Sequence, residues 1–389
     1  MQSVSKLTNL HGKKVILRLD LNVPLKNGEI TDTTRIDKVL PTIEFLLKQD
    51  SKIIILSHIG RPKGKVIRDL SLKPIQEDIE KKLNEKIKLI EKNIFEIKKD
   101  MLDNLNEKIL LIENIRYYPE EEKKDLNFAK HLASLGDIYV NDAFSCSHRA
   151  HASVDNITKF IPSYCGIQMN TEINALKKVT SDIERPIMCI IGGSKISTKI
   201  KIIKNLIPKF ENIAIVGGMA NNLLKYKGFN IGNSINEQNC SEIIGEIFYL
   251  AEKNNCNIIF PKDVAVGKKL GDKSQIKELS DLQDDDLILD IGPKTIYSIN
   301  SELEKCKTVL WNGPAGYFEN PNFAVGSKEI AKKIIELKNK IYSVAGGGDT
   351  IAVLNEINAF EKFNFVSTAG GAFLEYLEGK EIPGIRALN

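Results

Sequence analysis

Residues 51–62 read SKIIILSHIGRP, a β-branched run that stops abruptly at Ser57, His58, Gly60, Arg61 and Pro62. A short apolar run of this kind, bounded by turn residues, reads as a strand. The pattern recurs along the chain. KKVILRLDLNVP (13–24), KILLIENIRYYP (108–119) and GDIYVNDAFSCSHRAH (136–151) also end in polar or cationic residues. In the second half RPIMCIIGGSK (185–195), NIAIVGGMANN (212–222), YSVAGGGDT (342–350) and KFNFVSTAGGAF (362–373) end in glycines. CNIIFPKDVAVG (256–267) and KTVLWNGPAGYFEN (307–320) stop at Pro or Gly. Longer amphipathic stretches separate the runs. This alternation predicts an α/β protein of parallel sheets with crossover helices.

At 389 residues the chain exceeds the roughly 250–300 residues at which single cores stop growing, so two domains are expected. Between the halves, FIPSYCGIQMNTEINALKKVTSDIERP (160–186) carries Ile173, Leu176 and Val179 at helical spacing and predicts a joining helix. The Lys/Glu-rich stretch around 77–108 reads as a solvated helical face.

Composition excludes several classes. With 42% hydrophobic residues and no apolar run of about 18, a membrane span is not expected. The start, MQSVSKLTNLHGKK, has no apolar signal core, which predicts a cytoplasmic protein. A net charge of +4 with interspersed signs does not support nucleic-acid binding. Cys146, Cys165, Cys189, Cys240, Cys256 and Cys306 form no C-x-x-C pair and read as reduced structural thiols.

In open parallel sheets ligands bind beyond the carboxyl ends of the strands, so the strand-end residues are the candidates. Lysine supplies most of the positive charge. The eight arginines (18, 35, 61, 68, 116, 149, 185 and 386) are therefore candidates for planar, bidentate work. Arg61, Arg116 and Arg149 fall at strand ends with His58, His148 and His151, and Arg35 begins a helical pattern with Ile36, Val39 and Leu40. Asp20 and Asn22 are placed on one strand face by alternation. Together Arg35, Arg61, Arg116 and Arg149 suit a small molecule with several negative charges. In the second half, Lys195 and Lys199 are four apart and would share a helix face, within reach of phosphates at a Gly-Gly corner. Gly217, Gly218, Gly370 and Gly371 allow close approach of backbone to a ligand or to another helix. Asp349, after Gly346, Gly347 and Gly348, could cap a helix or hold Mg²⁺. No Walker lysine motif, G-x-G-x-x-G, G-x-S-x-G, H-E-x-x-H or kinase H-R-D loop occurs. An anionic acid site opposite a glycine-lined phosphate site suggests phosphoryl transfer, which depends chiefly on positioning and on cations.

RLDLNVP, SHIGRP, ENIRYYPEE, YVNDAF, HRAHAS, GGSKISTKI, VGGMA, WNGPAGYFE, GGGDT and STAGGAFLEYLEGK stand in the order and spacing of the phosphoglycerate kinase family, which the chain resembles over essentially its whole length. The resemblance implies reversible phosphoryl transfer between 1,3-bisphosphoglycerate and ADP, giving 3-phosphoglycerate and MgATP, in glycolysis. It implies two doubly wound, Rossmann-like domains joined by a helix: an acid-binding domain at 1–168, a helix at 169–184, a nucleotide-binding domain at 185–372, and a segment at 373–389 returning to the first domain. The acid would be held by Asp20, Asn22, Arg35, His58, Gly60, Arg61, Arg116 and Arg149. The nucleotide would be held by Lys195, Lys199, Gly217, Gly218, Asn312, Glu319, Gly346, Gly347, Gly348, Asp349 and Thr350. Gly370 and Gly371 would form a helix-start anion site, and Asp349 would lie near Mg²⁺. Arg35, Lys195 and Lys199 are the expected catalytic residues. A monomer that closes its two domains over the substrates is expected. Thr198 stands where many members have Asp, and Ala369 where a third glycine is frequent. A two-lobed anion-binding protein and an NAD-dependent dehydrogenase are the alternatives; the missing dinucleotide fingerprint disfavours the latter.

Overall fold

A computed structural model describes all 389 residues. They divide into two compact units, Met1–Ile173 with Glu381–Asn389, and Asn174–Lys380.

The strands of the first unit are β1 (Lys14–Leu19), the small antiparallel pair β2 (Leu25–Lys26) and β3 (Glu29–Ile30), then β4 (Lys52–Leu56), β5 (Ile87–Ile90), β6 (Ile109–Ile112), β7 (Ile138–Asp142) and β8 (Ser163–Cys165). Six of them form one parallel sheet in the order β5-β6-β4-β1-β7-β8. The helices α1 (Thr34–Lys48), α2 (Lys73–Leu83), α3 (Lys99–Asp103), α4 (Pro119–Glu122) and α5 (Leu126–Ala133) lie in the connections. Strand β4 shows why an unbroken apolar run is needed. Ile53 and Ile55 enter the core on one face of the sheet, and Ile54 and Leu56 enter the core on the other. Burying four such side chains contributes roughly 6–12 kcal/mol, at about 1.5–3 each.

Helix α6 (Ile167–Lys177) leads into the second unit, where β9 (Ile187–Ile191), β10 (Asn212–Ile215) and β11 (Asn257–Ile259) are followed by β12 (Asp263–Gly267), β13 (Gln275–Glu278) and β14 (Leu287–Ile291), then by β15 (Thr308–Asn312), β16 (Tyr342–Gly346) and β17 (Phe365–Ser367). The main parallel sheet runs β11-β10-β9-β15-β16-β17, and β13-β12-β14 form a separate antiparallel sheet. Its helices are α7 (Ile200–Leu206), α8 (Ala220–Tyr226), α9 (Ser241–Lys253), α10 (Pro293–Leu303), α11 (Val325–Glu336), α12 (Gly348–Glu356) and α13 (Gly371–Leu377), while α14 (Pro383–Arg386) lies in the segment belonging to the first unit. No helix is long and apolar enough to cross a membrane.

Each main sheet changes winding direction once, between β1 and β7 in the first unit and between β9 and β15 in the second. These are the switch points at which doubly wound sheets open a crevice.

Four readings of the sequence are corrected. The joining helix ends at Lys177 rather than continuing to 184, because residues 178–182 fold into turns, with the Ser181 and Asp182 amides both donating to the Lys177 carbonyl. The chain returns to the first unit at Glu381 rather than at 373; Phe373 and Leu377 are fully buried in the second unit, where Asn205 holds the Leu377 carbonyl. The 77–108 stretch is not one solvated helix, since it includes the edge strand β5, a four-residue segment whose exposed Lys88 masks the pattern. Lys195 and Lys199 do not share a helix, because α7 starts only at Ile200. Local hydrogen bonds compete with the helix there: Glu237 accepts from the Ser197 amide at 2.9 Å and hydroxyl at 2.5 Å, and Thr198 Oγ1 donates to the Lys195 carbonyl at 2.8 Å.

Candidate active site

The loops after β6, β4, β1 and β7 lie on one edge of the first sheet, because these strands are adjacent and parallel. Asp20 and Asn22 sit past the end of β1 in an Asx turn, with the Asn22 amide donating to Asp20 Oδ1 at 3.1 Å. Asp20 is 7% exposed and pairs with Arg35 Nη1 at 2.9 Å. Arg35, in the first turn of α1, also donates to the Asn22 carbonyl at 2.9 Å. Across the switch point, the hydroxyl of Ser145 donates to Asp20 Oδ2, tying the loop after β7 to the loop after β1. Asn22 Oδ1 accepts the Gly60 amide at 2.8 Å, which joins the β4 loop to the same group. Arg116 is buried and donates to the Gly60 carbonyl at 3.1 Å, while Arg61 and Arg149 are exposed. Arg149 Nε donates to His148 Nε2 at 3.2 Å.

His58 is 2% exposed, and burial followed by the charge of Arg18 pushes its pKa well below the usual histidine value. The ring is neutral. Arg18 Nη2 lies 3.2 Å from His58 Nδ1, and a guanidinium only donates, so Nδ1 carries the lone pair and Nε2 the hydrogen. His58 therefore offers an anion a hydrogen bond rather than a charge.

Sequence reasoning counted Arg18 among the candidate arginines without assigning it to the acid site, and the structure makes it a support. It is fully buried in β1, donates from Nε to Ser153 Oγ at 3.0 Å, and faces the buried Glu121, whose Oε1 accepts from Ser153 Oγ at 2.6 Å. An arginine flanked by Leu17 and Leu19 in an apolar strand was the available signal. Asp20, His58 and Cys146 bring ligand-type atoms within 4.8 Å of one another. Burial pushes the Cys146 thiol up to about 11, and arginines already occupy the other two groups. The cluster is dressed for an anion, not a metal cation.

The second unit repeats the arrangement with different chemistry. Lys199, just before α7, donates to Oδ1 of Asn312 at the end of β15, so a side-chain bond again bridges the switch point. Burial lowers the Lys199 pKa, and the charges of Cys189 and then Asp349 act against this. Asn312 Nδ2 donates to the Gly346 carbonyl at 2.6 Å, and Thr350 Oγ1 accepts the Gly313 amide at 2.7 Å, drawing in the loop after β16. Two glycines are required by this packing. A Cβ on Gly192 would lie 2.1 Å from the Pro314 carbonyl, and one on Gly347, whose φ is +101°, would lie 2.6 Å from Asn312 Nδ2. Lys195 is exposed, and Asp349 is exposed in the first turn of α12. Gly370 precedes α13 with φ +55°, and Gly371 begins that helix.

Beside this edge lies a cavity of about 330 Å³ lined by Gly193, Gly217, Gly218, Glu319 and Asp349, with Pro261, Leu270, Leu287, Leu289 and Phe318 as apolar walls. That volume is at the lower end of the range of small-molecule sites. Sequence reasoning did not assign Asn221, Ser234 or Ile235, which also line it; Asn221 stands three residues after Gly218.

Two doubly wound units, one offering arginine and histidine at its switch point and the other lysine and glycine backbone, define a phosphotransferase acting on anionic small molecules. The sequence profile of phosphoglycerate kinase matches residues 4–380, and the chain belongs to that family. It is 45% identical to the phosphoglycerate kinase of Wolbachia pipientis wMel over 385 residues, covering 98% of this chain and 96% of the relative. It is 44% identical to that of Dictyoglomus turgidum, again covering 98% and 96%. The phosphoglycerate kinase structure from Coxiella burnetii superposes with a TM-score of 0.93 at 37% identity, covering 99% of this chain and 98% of the other. That from Pyrococcus horikoshii gives 0.81 at 28% identity, covering 100% and 98%. The chain is thus a glycolytic phosphotransferase with phosphoglycerate and ADP/ATP as its small-molecule substrates. The anion-binding protein and dehydrogenase readings are not supported.

Proposed function

We propose that the first unit binds 3-phosphoglycerate or 1,3-bisphosphoglycerate, and that the second binds ADP or ATP. The observation that carries this division is the chemistry at the two switch points: Asp20, Arg35 and His58 at one, Lys199, Asn312 and the Gly346–Thr350 loop at the other. Arg61, Arg116 and Arg149 supply further forks for carboxylate and phosphate oxygens, and neutral His58 donates from Nε2. The acceptor carboxylate is ionised at neutral pH, so transfer needs no general base. Arg35, Lys195 and Lys199 neutralise the phosphoryl group as it passes, which is the principal requirement of such chemistry.

The nucleotide is taken as its Mg²⁺ complex. Mg²⁺ is usually held by one or two carboxylates together with substrate phosphates, and Asp349, exposed at the cavity edge, is a carboxylate of the required kind. When bound, the ion would offset phosphate charge. Closure of the units over both ligands, a monomeric state and a cytoplasmic location belong to the same proposal.

Calorimetric titration tests the division. Arg61→Ala, at an exposed position, should weaken 3-phosphoglycerate binding by about 10–100-fold, the value of one charge-assisted bond, and leave the ADP Kd unchanged. Lys195→Ala should do the reverse. Equal losses for both ligands in either variant would refute the assignment.

A further inference from the structure

The turn that carries Lys195 and Lys199 is tied to the cavity of the second unit through one segment, residues 234–237. Ser234 and Ile235 line the cavity, and the Ile235 side chain lies over Gly218, where an added Cβ would fall 2.4 Å from Ile235 Cδ1. Two buried asparagines in the first turn of α8 clamp the backbone of the segment. Asn221 Nδ2 donates to the Ile235 carbonyl at 3.0 Å, and Asn222 Oδ1 accepts the Glu237 amide at 2.8 Å. With its main chain fixed, Glu237 turns its carboxylate onto Ser197, one oxygen taking the amide and the other the hydroxyl. Ser197 lies midway between the two lysines, and the rest of the turn closes around it: the Lys195 carbonyl accepts from Thr198 Oγ1 at 2.8 Å, and the Ile196 carbonyl accepts the Lys199 amide at 2.9 Å. Burial acts to raise the Glu237 pKa, but the bonds from Ser197, that of the Ile196 amide and the charge of Lys195 together hold it below the usual value, so the group is ionised at neutral pH. A carboxylate beside a site for polyphosphate opposes the charge of the ligand, and its compensating contribution is geometric.

We propose that Glu237 is a positioning residue for the phosphoryl transfer: through Ser197 it sets the backbone from which Lys195 and Lys199 reach the phosphates, and so couples the segment lining the cavity to the two lysines. This rests on reading those lysines as the cations of the nucleotide site. Helix α7 starts only at Ile200 and does not itself hold the turn, so the bond from a segment 40 residues away does. Displacing a catalytic group by about 1 Å can cost about 10²-fold in rate.

The test compares Glu237→Ala, Glu237→Gln, Lys195→Ala and the double variant Glu237→Ala/Lys195→Ala, by kcat at saturating 3-phosphoglycerate and MgATP and by the Kd for ADP, at a temperature below every thermal transition. Glu237→Ala should lower kcat about 10–100-fold. Glu237→Gln should stay within about threefold of the wild type, because the amide oxygen can still accept the Ser197 N–H and the amide nitrogen can donate to the hydroxyl. In the Lys195→Ala background Glu237→Ala should cost at least about threefold less than in the wild type, a coupling that general destabilisation would not produce. If Glu237 only adds negative charge, its removal leaves kcat unchanged and tightens ADP binding, and that result overturns the proposal. A loss in Glu237→Gln equal to that in Glu237→Ala assigns the effect to charge rather than position, and an undiminished loss in the Lys195→Ala background separates Glu237 from the lysines; either overturns it as well. The reading of the site is judged separately. If Lys195→Ala alone keeps the wild-type kcat and ADP Kd, the lysine turn is not part of the site and both readings fall. If Lys195→Ala is impaired while Glu237→Ala is not, only the role of Glu237 falls.

Discussion

Replacing Arg35 by lysine should cost turnover far more than affinity. Arg35 Nη1 holds Asp20 and the Asn22 carbonyl, both at 2.9 Å, so the guanidinium plane is set by the loop after β1. A lysine keeps the charge and can still pair with Asp20, but one ammonium cannot hold that pair and also present a planar fork to a passing phosphoryl group. The Arg35 side chain is 32% exposed, so the ion pair itself is worth about 1 kcal/mol or less and the fold should survive. Removing one donor aimed at transition-state charge costs about 2.7–4 kcal/mol, or roughly 10²–10³ in kcat. The assay is steady-state turnover of 3-phosphoglycerate at saturating MgATP, with the Tm recorded alongside. The expected result is a kcat reduced about 100-fold or more, a KM within severalfold of the wild type, and a Tm lowered by a few degrees at most. A kcat within twofold of the wild type with a raised KM would refute the reasoning, since Arg35 would then only bind the acid.

Gly347→Ala should lower stability by about 1–3 kcal/mol and raise the nucleotide KM, because the new methyl meets Asn312 Nδ2 in a left-handed backbone region; unchanged melting and kinetics would remove the Gly347–Asn312 packing from the account. His58 should stay neutral throughout, so its ring proton resonances should not titrate between pH 6 and 8; a midpoint in that window would mean that the Arg18 contact does not fix the tautomer. Burial raises the carboxyls of Asp142 and Asp290 to about 7 in the fold. Between the ordinary carboxylate pKa and 7 the native state therefore binds more protons than the unfolded chain, and stability falls as pH rises through that window, by on the order of a few kcal/mol. Asp142→Asn should flatten the decline in Tm between pH 5 and 8, and an unaltered slope would contradict the burial argument.

The parallel sheets were legible because fully buried strands need unbroken apolar runs, and Ile53–Leu56 and Ile187–Ile191 supply them. The edge strands of the first sheet escaped for the converse reason: β5 is buried only at Ile87 and Ile90, and β8 has three residues. The antiparallel sheet β13-β12-β14 carried no separate signal, since DVAVG reads as a continuation of the NIIF run before it. Strand-end arginines, histidines and glycines could be found because doubly wound folds gather ligands at those ends. Ser145 and Arg18 could not be assigned their roles, because these come from partners 125 and 135 residues away in sequence. The turn that carries Lys195 and Lys199 was misread as helix for a related reason, since Glu237, which holds it, comes from a distant loop.

The central claim is that the residues at the two switch points act together in one phosphoryl transfer. It is tested most directly by a coupled assay of the purified protein with 3-phosphoglycerate and MgATP, comparing the wild type with Arg35→Ala and Lys199→Ala. The account predicts turnover only when both substrates are present, and a loss of about 10²-fold or more in kcat for each variant while its thermal transition stays cooperative. Turnover with either substrate alone, or near wild-type kcat in both folded variants, would contradict it.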